Sequence, residues 1–287
     1  MSQRLERLAV RLGRVSAARY DNPHLRFGFH EPHSGERLAT SAELISLAGH
    51  PLWAELGDER RRQLALLEAA HVFSLNIAGE RELMTGLAER LWTGARSPAL
   101  CRYLQHMLHE ENAHSVVFAG FCLHYVGKIF ADPARRLPRQ YLPGEKEFLF
   151  WAQILIFEQI SVWFNRRQAA DPELWAVTRR IHEYHAEDEG RHIAFGERCV
   201  TELWAELSPS WGEVGRSQVG SYLRRYVEYV LGRHVSAEVY RELGLGTDPL
   251  ALREVVLASP ARQRVHEQAA QRSRRLLAQL ALLGGAA

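Results

Sequence analysis

Residues 110–114 read Glu-Glu-Asn-Ala-His, and residues 188–192 read Asp-Glu-Gly-Arg-His, so an acid-Glu-x-x-His motif occurs twice. In both copies a further glutamate stands 31 residues before the motif glutamate. These pairs are Glu80 with Glu111 and Glu158 with Glu189. Because every member of the second copy lies 78 residues after its counterpart, the chain contains an internal repeat.

The spacing within the repeat predicts a pair of helical hairpins. Residues three apart on a helix share one face, so Glu111 and His114 can reach one metal ion. Glu189 and His192 repeat this arrangement. Two antiparallel helices joined by a short turn need about 31 residues to bring their midpoints level, at about 1.5 Å of rise per residue. Each copy is therefore expected to form one αα-hairpin, and the two hairpins together a four-helix bundle.

The residue types of the repeat indicate a dinuclear metal centre. One glutamate from each of two helices and a Glu-x-x-His motif from each of two others form the ligand set of di-iron and di-manganese carboxylate bundles. Oxygen-rich sets with some imidazole nitrogen suit iron or manganese. We therefore predict two iron ions, with manganese as the alternative. Glu110 and Asp188, next to the ligands, are expected to orient imidazole N–H groups.

The surroundings of Glu158 support this interpretation. Residues 148–164 are apolar on nearly every side of the predicted helix. An unpaired carboxylate there would cost several kcal/mol or become neutral, and a bound metal removes that cost. A protonated or Arg-paired core glutamate is the alternative for Glu158 alone, but it does not explain the shared offset of both pairs.

One further histidine extends the second motif. His185, Glu189 and His192 are spaced 0, +4 and +7, so they form a single stripe along one helix. His185 is therefore predicted as a seventh ligand. His182 lies near the same stripe one turn earlier, and it stays open as the alternative because helix-face arguments do not separate neighbouring turns.

In these residues the chain resembles the p-aminobenzoate N-oxygenase family of di-iron oxygenases. The family's pattern is Glu, a spacer, acid-Glu-x-x-His, then Glu, then His-x-x-x-Glu-x-x-His, and the likeness covers roughly residues 60–200. The matching positions are Glu80, Glu110, Glu111, His114, Glu158, His185, Glu189 and His192. The resemblance implies that all of them except Glu110 are metal ligands and catalytic residues.

The resemblance also implies an O₂-dependent oxidoreductase. It suggests N-oxygenation of an amine, with an aryl amine as the prototype, to a hydroxylamine, nitroso or nitro product, and a separate electron donor. The alternatives are a di-iron C–H hydroxylase or desaturase and a ferritin-like ferroxidase or iron-storage protein. A radical-generating ribonucleotide reductase subunit fits less well, because the tyrosine expected one turn after the first carboxylate is Met84 here. A non-enzymatic helical scaffold would require an accidental doubling of the motif.

Composition fits one globular domain spanning residues 1–287. The chain is 46% hydrophobic and 24% charged, which is ordinary for a globular protein. A net charge of +2 is too small to indicate nucleic-acid binding. The longest apolar run, residues 148–164, is interrupted by polar residues and too short for a membrane span, so a core helix is expected. Three cysteines without ligand spacing favour a reducing, cytoplasmic compartment.

Turn and cap signals predict an all-α, ferritin-like four-helix bundle with additional N- and C-terminal helices. The core bundle is expected over about residues 58–206. Its helices are predicted at about 58–93, 98–130, 145–169 and 172–206, with Ser97 and Asp171 as caps before Pro98 and Pro172. Pro133, Pro138 and Pro143 predict a long crossover without regular helix. Thr40 and Glu43 predict a capping box for a short earlier helix.

The substrate pocket and the partners are less sharply indicated. Asn76, Ser161 and Asn165 lie near ligand faces as candidate hydrogen-bonding groups, with ordinary core packing as the alternative. Met84, Phe118, Phe157 and Val162 are candidate pocket walls on the same terms. An acidic carrier protein presenting a tethered substrate is a candidate partner for the basic last helix, whose alternative is a solvated face. Its arginines are Arg262, Arg264, Arg272, Arg274 and Arg275. Helices beyond residue 206 are expected to cover the bundle or form a homodimer contact.

Overall fold

The four long helices that carry the repeat form two antiparallel hairpins. The computed structural model describes residues 2–30, 32, 37–92, 97–131 and 140–282, which contain eleven α-helices and no strand. The helices are α1 Gln3–Ala18, α2 Pro23–Arg26, α3 Pro51–Glu55, α4 Asp58–Trp92, α5 Pro98–Tyr125, α6 Glu145–Ala169, α7 Ala176–Leu207, α8 Gly212–Arg233, α9 Ala237–Leu243, α10 Pro249–Ala258 and α11 Pro260–Gln279.

The hairpins pair as the repeat predicts. α4 packs on α5, and α6 packs on α7, while α4 contacts α6 and α5 contacts α7 to close the bundle. α1 lies against α5 and α7, and α11 lies against α6 and α8. The all-α, ferritin-like bundle with additional helices at both ends is therefore confirmed.

Two glycines let α4 approach α6 closely. A Cβ atom at Gly79 would collide with the ring of Phe157, and one at Gly86 would collide with the ring of Phe150. Glycine in a helix costs about 0.5–1 kcal/mol relative to alanine, so its presence here is explained by the close approach. Glu80 directly follows Gly79 in the sequence, and Glu158 directly follows Phe157. The contact between Gly79 and Phe157 therefore positions two of the predicted ligands.

The predicted ligands lie between two apolar clusters. In α4 the buried apolar residues from Leu64 to Phe73 belong to one cluster, and Leu83 and Leu87 belong to the other. α5 and α7 change clusters in the same way, at residues 107–117 and 184–193. A layer of polar side chains therefore crosses the middle of the bundle, closed above and below by hydrocarbon.

Some predicted boundaries are confirmed and others are wrong. The Ser97 hydroxyl accepts a hydrogen bond from Leu100 N at the start of α5, as predicted. α7 begins at Ala176 instead of Pro172, because Asp171 accepts from Glu173 N in a turn and Trp175 N donates to Leu38 O at 2.9 Å.

The capping box at Thr40 is also wrong. Thr40 Oγ1 donates to Ala65 O on α4, and residues 41–50 form turns. In the predicted crossover, Pro143 lies outside any helix, whereas Pro133 and Pro138 lie outside the described residues. α5 ends at Tyr125, five residues before the predicted end.

Helix α6 is the core helix that the sequence predicts. Of the described helices it alone is long and apolar enough to cross a membrane by length and composition. Within its most apolar window, 72% of the residues are buried inside the protein, as in the core helix of a soluble protein.

Candidate metal centre

All seven predicted ligands come together in the polar layer. Their donor atoms form two groups of four, and within each group all donor atoms lie within 4.8 Å of one another. The first group is Glu80, His114, His185 and Glu189; the second is Glu111, Glu158, Glu189 and His192. Glu189 belongs to both groups, and every member is buried. The four long helices each contribute at least one side chain.

Several of the donor atoms lie close to one another without forming hydrogen bonds. His192 Nδ1 lies 2.7 Å from Glu111 Oε1, and His185 Nε2 lies 2.8 Å from Glu189 Oε1. Yet Glu111 Oε1, both oxygens of Glu189 and His192 Nδ1 make no hydrogen bond of acceptable geometry with any described residue. Buried polar atoms are normally hydrogen-bonded, and exceptions cost several kcal/mol. Four carboxylates also carry the charge that two divalent cations neutralise, so this site fits a dinuclear metal centre.

The carboxylates perturb one another strongly. Burial raises the pKa of Glu80 well above its usual range, and repulsion from Glu111 adds to the shift. Burial and the charge of Glu111 likewise raise the pKa of Glu189. The pKa of Glu111 shifts the other way. Burial alone would raise it, but the charge of His192 and a hydrogen bond from Glu80 hold it well below its usual range. Of these two carboxyl groups, Glu80 is therefore the more easily protonated.

The acidic residues that precede the motif glutamates orient two histidines, as predicted. His192 Nε2 donates to Glu110 Oε2 at 2.7 Å, and His114 Nε2 donates to Asp188 Oδ2 at 3.2 Å. The arrangement is crosswise, because each acid holds the histidine of the other motif. Burial opposes protonation of His114, but the hydrogen bonds to Asp188 and Glu111 and the charges of Glu111 and Glu189 together outweigh it and raise the pKa to about 9. Both imidazoles consequently turn Nδ1 towards the centre.

Arg191 joins these two acids and was not predicted. Its Nη2 donates to Glu110 Oε1 at 2.5 Å and to Asp188 Oδ1 at 2.7 Å, and its Nε donates to Ser16 Oγ at 3.1 Å. The residue occupies one of the two unspecified positions of Glu-x-x-His, so the motif does not identify it. Its separation of three residues from Asp188 was the available signal, since that spacing favours an ion pair on a helix.

The structure separates the two candidates for the seventh position. His185 Nε2 faces the centre, 3.4 Å from Glu80 Oε1, and the Phe118 ring lies edge-on to its imidazole with centroids 5.0 Å apart. His182 belongs to neither group and instead contacts Asn165. Burial lowers the pKa of His182 to about 3, so its ring is neutral.

The other predicted pocket residues are distributed unevenly. Ser161 Oγ donates to Asn76 Oδ1 at 3.4 Å, and both side chains are buried. Phe157 packs against Gly79, and Met84 is half-buried. Val162 lines a groove of about 230 Å³ between α6 and α11. A cavity of about 240 Å³ has Glu110 and Asp188 among its lining residues.

The basic last helix is less available than predicted. Arg262 is buried and donates to Leu44 O and Ile45 O, which removes it from any docking surface. Arg272 pairs with Glu197 at 2.9 Å, and Arg274 pairs with Glu228 at 3.1 Å.

Comparison with known proteins agrees with this geometry. The chain matches the family described as p-aminobenzoate N-oxygenase AurF over residues 2–281. The chain belongs to the AurF family. None of the curated proteins compared with it matches the chain. The AurF match extends the likeness seen in residues 60–200 to almost the whole sequence. AurF proteins are di-iron enzymes of the ferritin-like fold, so family and geometry both indicate an oxygenase with a metal centre in the polar layer.

Proposed function

We propose that this AurF-family protein is a non-haem di-iron oxygenase that uses O₂ to oxidise the nitrogen of an amine. The observation that carries the proposal is the convergence of four buried carboxylates and three imidazoles on one site. AurF membership supports the choice of N-oxygenation over other di-iron reactions. An aryl amine is the proposed substrate, and a carrier-tethered amine is the second form considered.

The chain's own residues have distinct tasks in this proposal. Glu80, His114 and His185 would hold one ion, Glu111, Glu158 and His192 would hold the other, and Glu189 belongs to both donor groups. Glu110 and Asp188 keep two imidazoles aimed at the centre. Phe118 and Phe73, which stack with ring centroids 5.2 Å apart, keep water from the side of His185.

When bound, two ferrous ions would supply the electrons that activate O₂, and O₂ would supply the oxygen atom that is transferred. The first oxidation converts an amine, O₂, two electrons and two protons into a hydroxylamine and water. An N–O bond forms, the O–O bond breaks, and an external electron donor returns the centre to its reduced state. A homodimer, a cytoplasmic location and an acidic carrier remain further parts of the proposal.

The additional imidazole favours an oxygenase over a storage protein. Six ligands already complete the ligand set of a ferritin-like dimetal site. His185 is a seventh donor, and it is supported by a buried amide, Asn165, at 2.6 Å. Storage of iron gives no reason to bury this extra polar pair.

The test is anaerobic reconstitution with ferrous iron followed by mixing with ¹⁸O₂, an electron donor and a panel of aryl and alkyl amines. We expect two irons per chain by elemental analysis and one ¹⁸O atom on the nitrogen of a product by mass spectrometry. Trace iron only would overturn the whole proposal. Iron mineral accumulating without any amine product would favour storage, and oxygen on carbon alone would replace N-oxygenation by C–H hydroxylation.

A further inference from the structure

Three buried polar side chains, His185, Asn165 and His182, form a hydrogen-bonded series that extends away from the centre. Asn165 Nδ2 donates to His185 Nδ1 at 2.6 Å, and His182 Nδ1 donates to Asn165 Oδ1 at 2.8 Å. None of the three is more than 2% exposed. His182 Nε2 has no hydrogen-bond partner in the described part of the chain, and the ring of Phe73 lies beside it with centroids 5.1 Å apart.

The internal repeat provides a comparison for these positions. The residues 78 positions before His182, Asn165 and His185 are apolar and equally buried. They are Leu104, Leu87 and Met107. The fold thus packs hydrocarbon at these places in one hairpin and polar groups in the other. Buried polar groups do not stabilise a fold better than hydrocarbon of similar volume. The polar side chains at Asn165 and His182 are therefore explained by the centre that they support.

The direction of the Asn165 amide fixes the proton of His185. A neutral imidazole donates from one nitrogen and accepts at the other. Because Asn165 Nδ2 donates to Nδ1 of His185, the proton of that ring lies on Nε2, which faces Glu189 Oε1 at 2.8 Å. A metal ion on Nε2 needs its lone pair, so the proton must then lie on Nδ1 and needs an acceptor. Only Oδ1 of Asn165 provides one at this contact.

We propose that Asn165 and His182 are positioning residues that set the tautomer of His185 and that the Asn165 amide reverses when metal binds. This inference rests on the proposed metal centre. After reversal Oδ1 accepts from His185 Nδ1, and Nδ2 donates to His182 Nδ1. No proton is gained or lost: in His185 it moves from Nε2 to Nδ1, and in His182 from Nδ1 to Nε2. The Nε2–H of His182 then meets the aromatic surroundings of Phe73, a weak hydrogen-bonding environment.

The experiment compares the imidazole ¹⁵N chemical shifts of the full chain without metal and with Zn²⁺, a diamagnetic probe. We expect His185 to change from the Nε2–H to the Nδ1–H tautomer and His182 to change in the opposite sense. Signals are assigned by their loss in single variants. A carboxylate only accepts, so Asn165→Asp should hold His185 in the Nδ1–H form even without metal.

The variants test the affinity of the same site. Asn165→Leu and His182→Leu introduce the residues that the first hairpin carries at Leu87 and Leu104. Loss of a group that supports a ligand costs about 10- to 100-fold in metal affinity. We expect Zn²⁺ and ferrous affinity to fall by that factor in Asn165→Leu. In His182→Leu we expect a smaller fall. The control is His266→Leu in α11, a buried histidine with no described contact to the seven residues, and it should bind as the wild type does.

The outcomes separate this inference from the proposed function. If the wild type binds two ions but the His182 tautomer does not change, or if Asn165→Leu binds zinc as tightly as the wild type, the positioning role is wrong and the metal centre stands. If the folded wild type binds neither zinc nor ferrous iron, the metal centre and the positioning role are both wrong. Circular dichroism of each sample checks that a weak binder is folded.

Discussion

Replacing Arg191 by methionine removes the guanidinium group that joins Glu110 of the first motif to Asp188 of the second. Arg191 is the shared partner of Glu110 and Asp188, and the side chains of these three residues are only 8%, 9% and 13% exposed. Solvent therefore screens the two contacts little. Methionine has a similar length and no donor, so both carboxylates lose their guanidinium partner but keep their histidine contacts.

The expected cost follows from these contacts. A hydrogen bond to a charged group contributes about 1.5–3 kcal/mol, and removing one partner of a buried ion pair costs about 3–5 kcal/mol. We expect Arg191→Met to lower the free energy of unfolding of the metal-free protein by about 3–5 kcal/mol. The measurement is urea unfolding followed by circular dichroism. Arg191→Lys should fall between, because one ammonium nitrogen can replace Nη2 between the two acids, but lysine has no second nitrogen to replace Nε, which donates to Ser16.

A second arginine on the same helix serves as the control. Arg198 pairs with Glu202 at 2.6 Å, and their side chains are 32% and 18% exposed. Such partly exposed pairs contribute about 1 kcal/mol or less, so Arg198→Met should change stability little. If Arg191→Met costs no more than Arg198→Met, the account of Arg191 as a buried clamp is refuted.

Three further predictions concern other parts of the molecule. Glu158→Ala should lose bound iron and activity yet stay folded, with a metal-free stability at least equal to that of the wild type because a buried charge is removed; elemental analysis that still finds two irons would contradict this. Burial raises the pKa of Glu68 to about 7, so the folded protein binds a proton that the unfolded chain releases near the usual pKa of 4.5. That stabilising contribution, about 3 kcal/mol, is present below pH 4.5 and is lost as the pH rises to 7; Glu68→Gln should flatten the pH dependence of urea unfolding across this window, and an unchanged slope would refute the assignment. Gly79→Val should collide with Phe157, cost about 1–3 kcal/mol and weaken metal binding, whereas Gly190→Ala, whose added Cβ meets nothing within 4 Å, should not lower stability in the same unfolding assay.

The convergence of the seven site residues was predictable because side chains that meet inside a helix bundle obey helix geometry. Side chains that meet from adjacent helices require fixed separations, and the offsets of 31 and 78 residues express them directly in the sequence. The pairing of helices followed from the same offsets. The choice between His182 and His185 could not be predicted, because helix-face arguments do not separate residues one turn apart. Only the packed helices place His185 in the donor group.

The predictions that failed depend on contacts between distant parts of the chain. Arg262 belongs to a basic-looking helix, but its guanidinium reaches carbonyls 217 and 218 residues away. Thr40 has the pattern of a helix cap, yet its hydroxyl is used by Ala65 O, and Trp175 N is held by Leu38 O before α7 begins. Local sequence patterns do not contain these partners, so no reading of caps or charges along the chain could supply them.

The two halves of the repeat agree in the ligands and differ in what supports them. Arg191 replaces Ala113 of the first copy, and His185 replaces Met107. The donor groups are unequal as a result: the first contains two carboxylates and two imidazoles, the second three carboxylates and one imidazole. Glu189 is common to both, so the first group has His185 where the second has an additional carboxylate. With one carboxylate fewer and a neutral imidazole in its place, held by Asn165, the first group carries less negative charge than the second. This inequality distinguishes the site from a symmetric one.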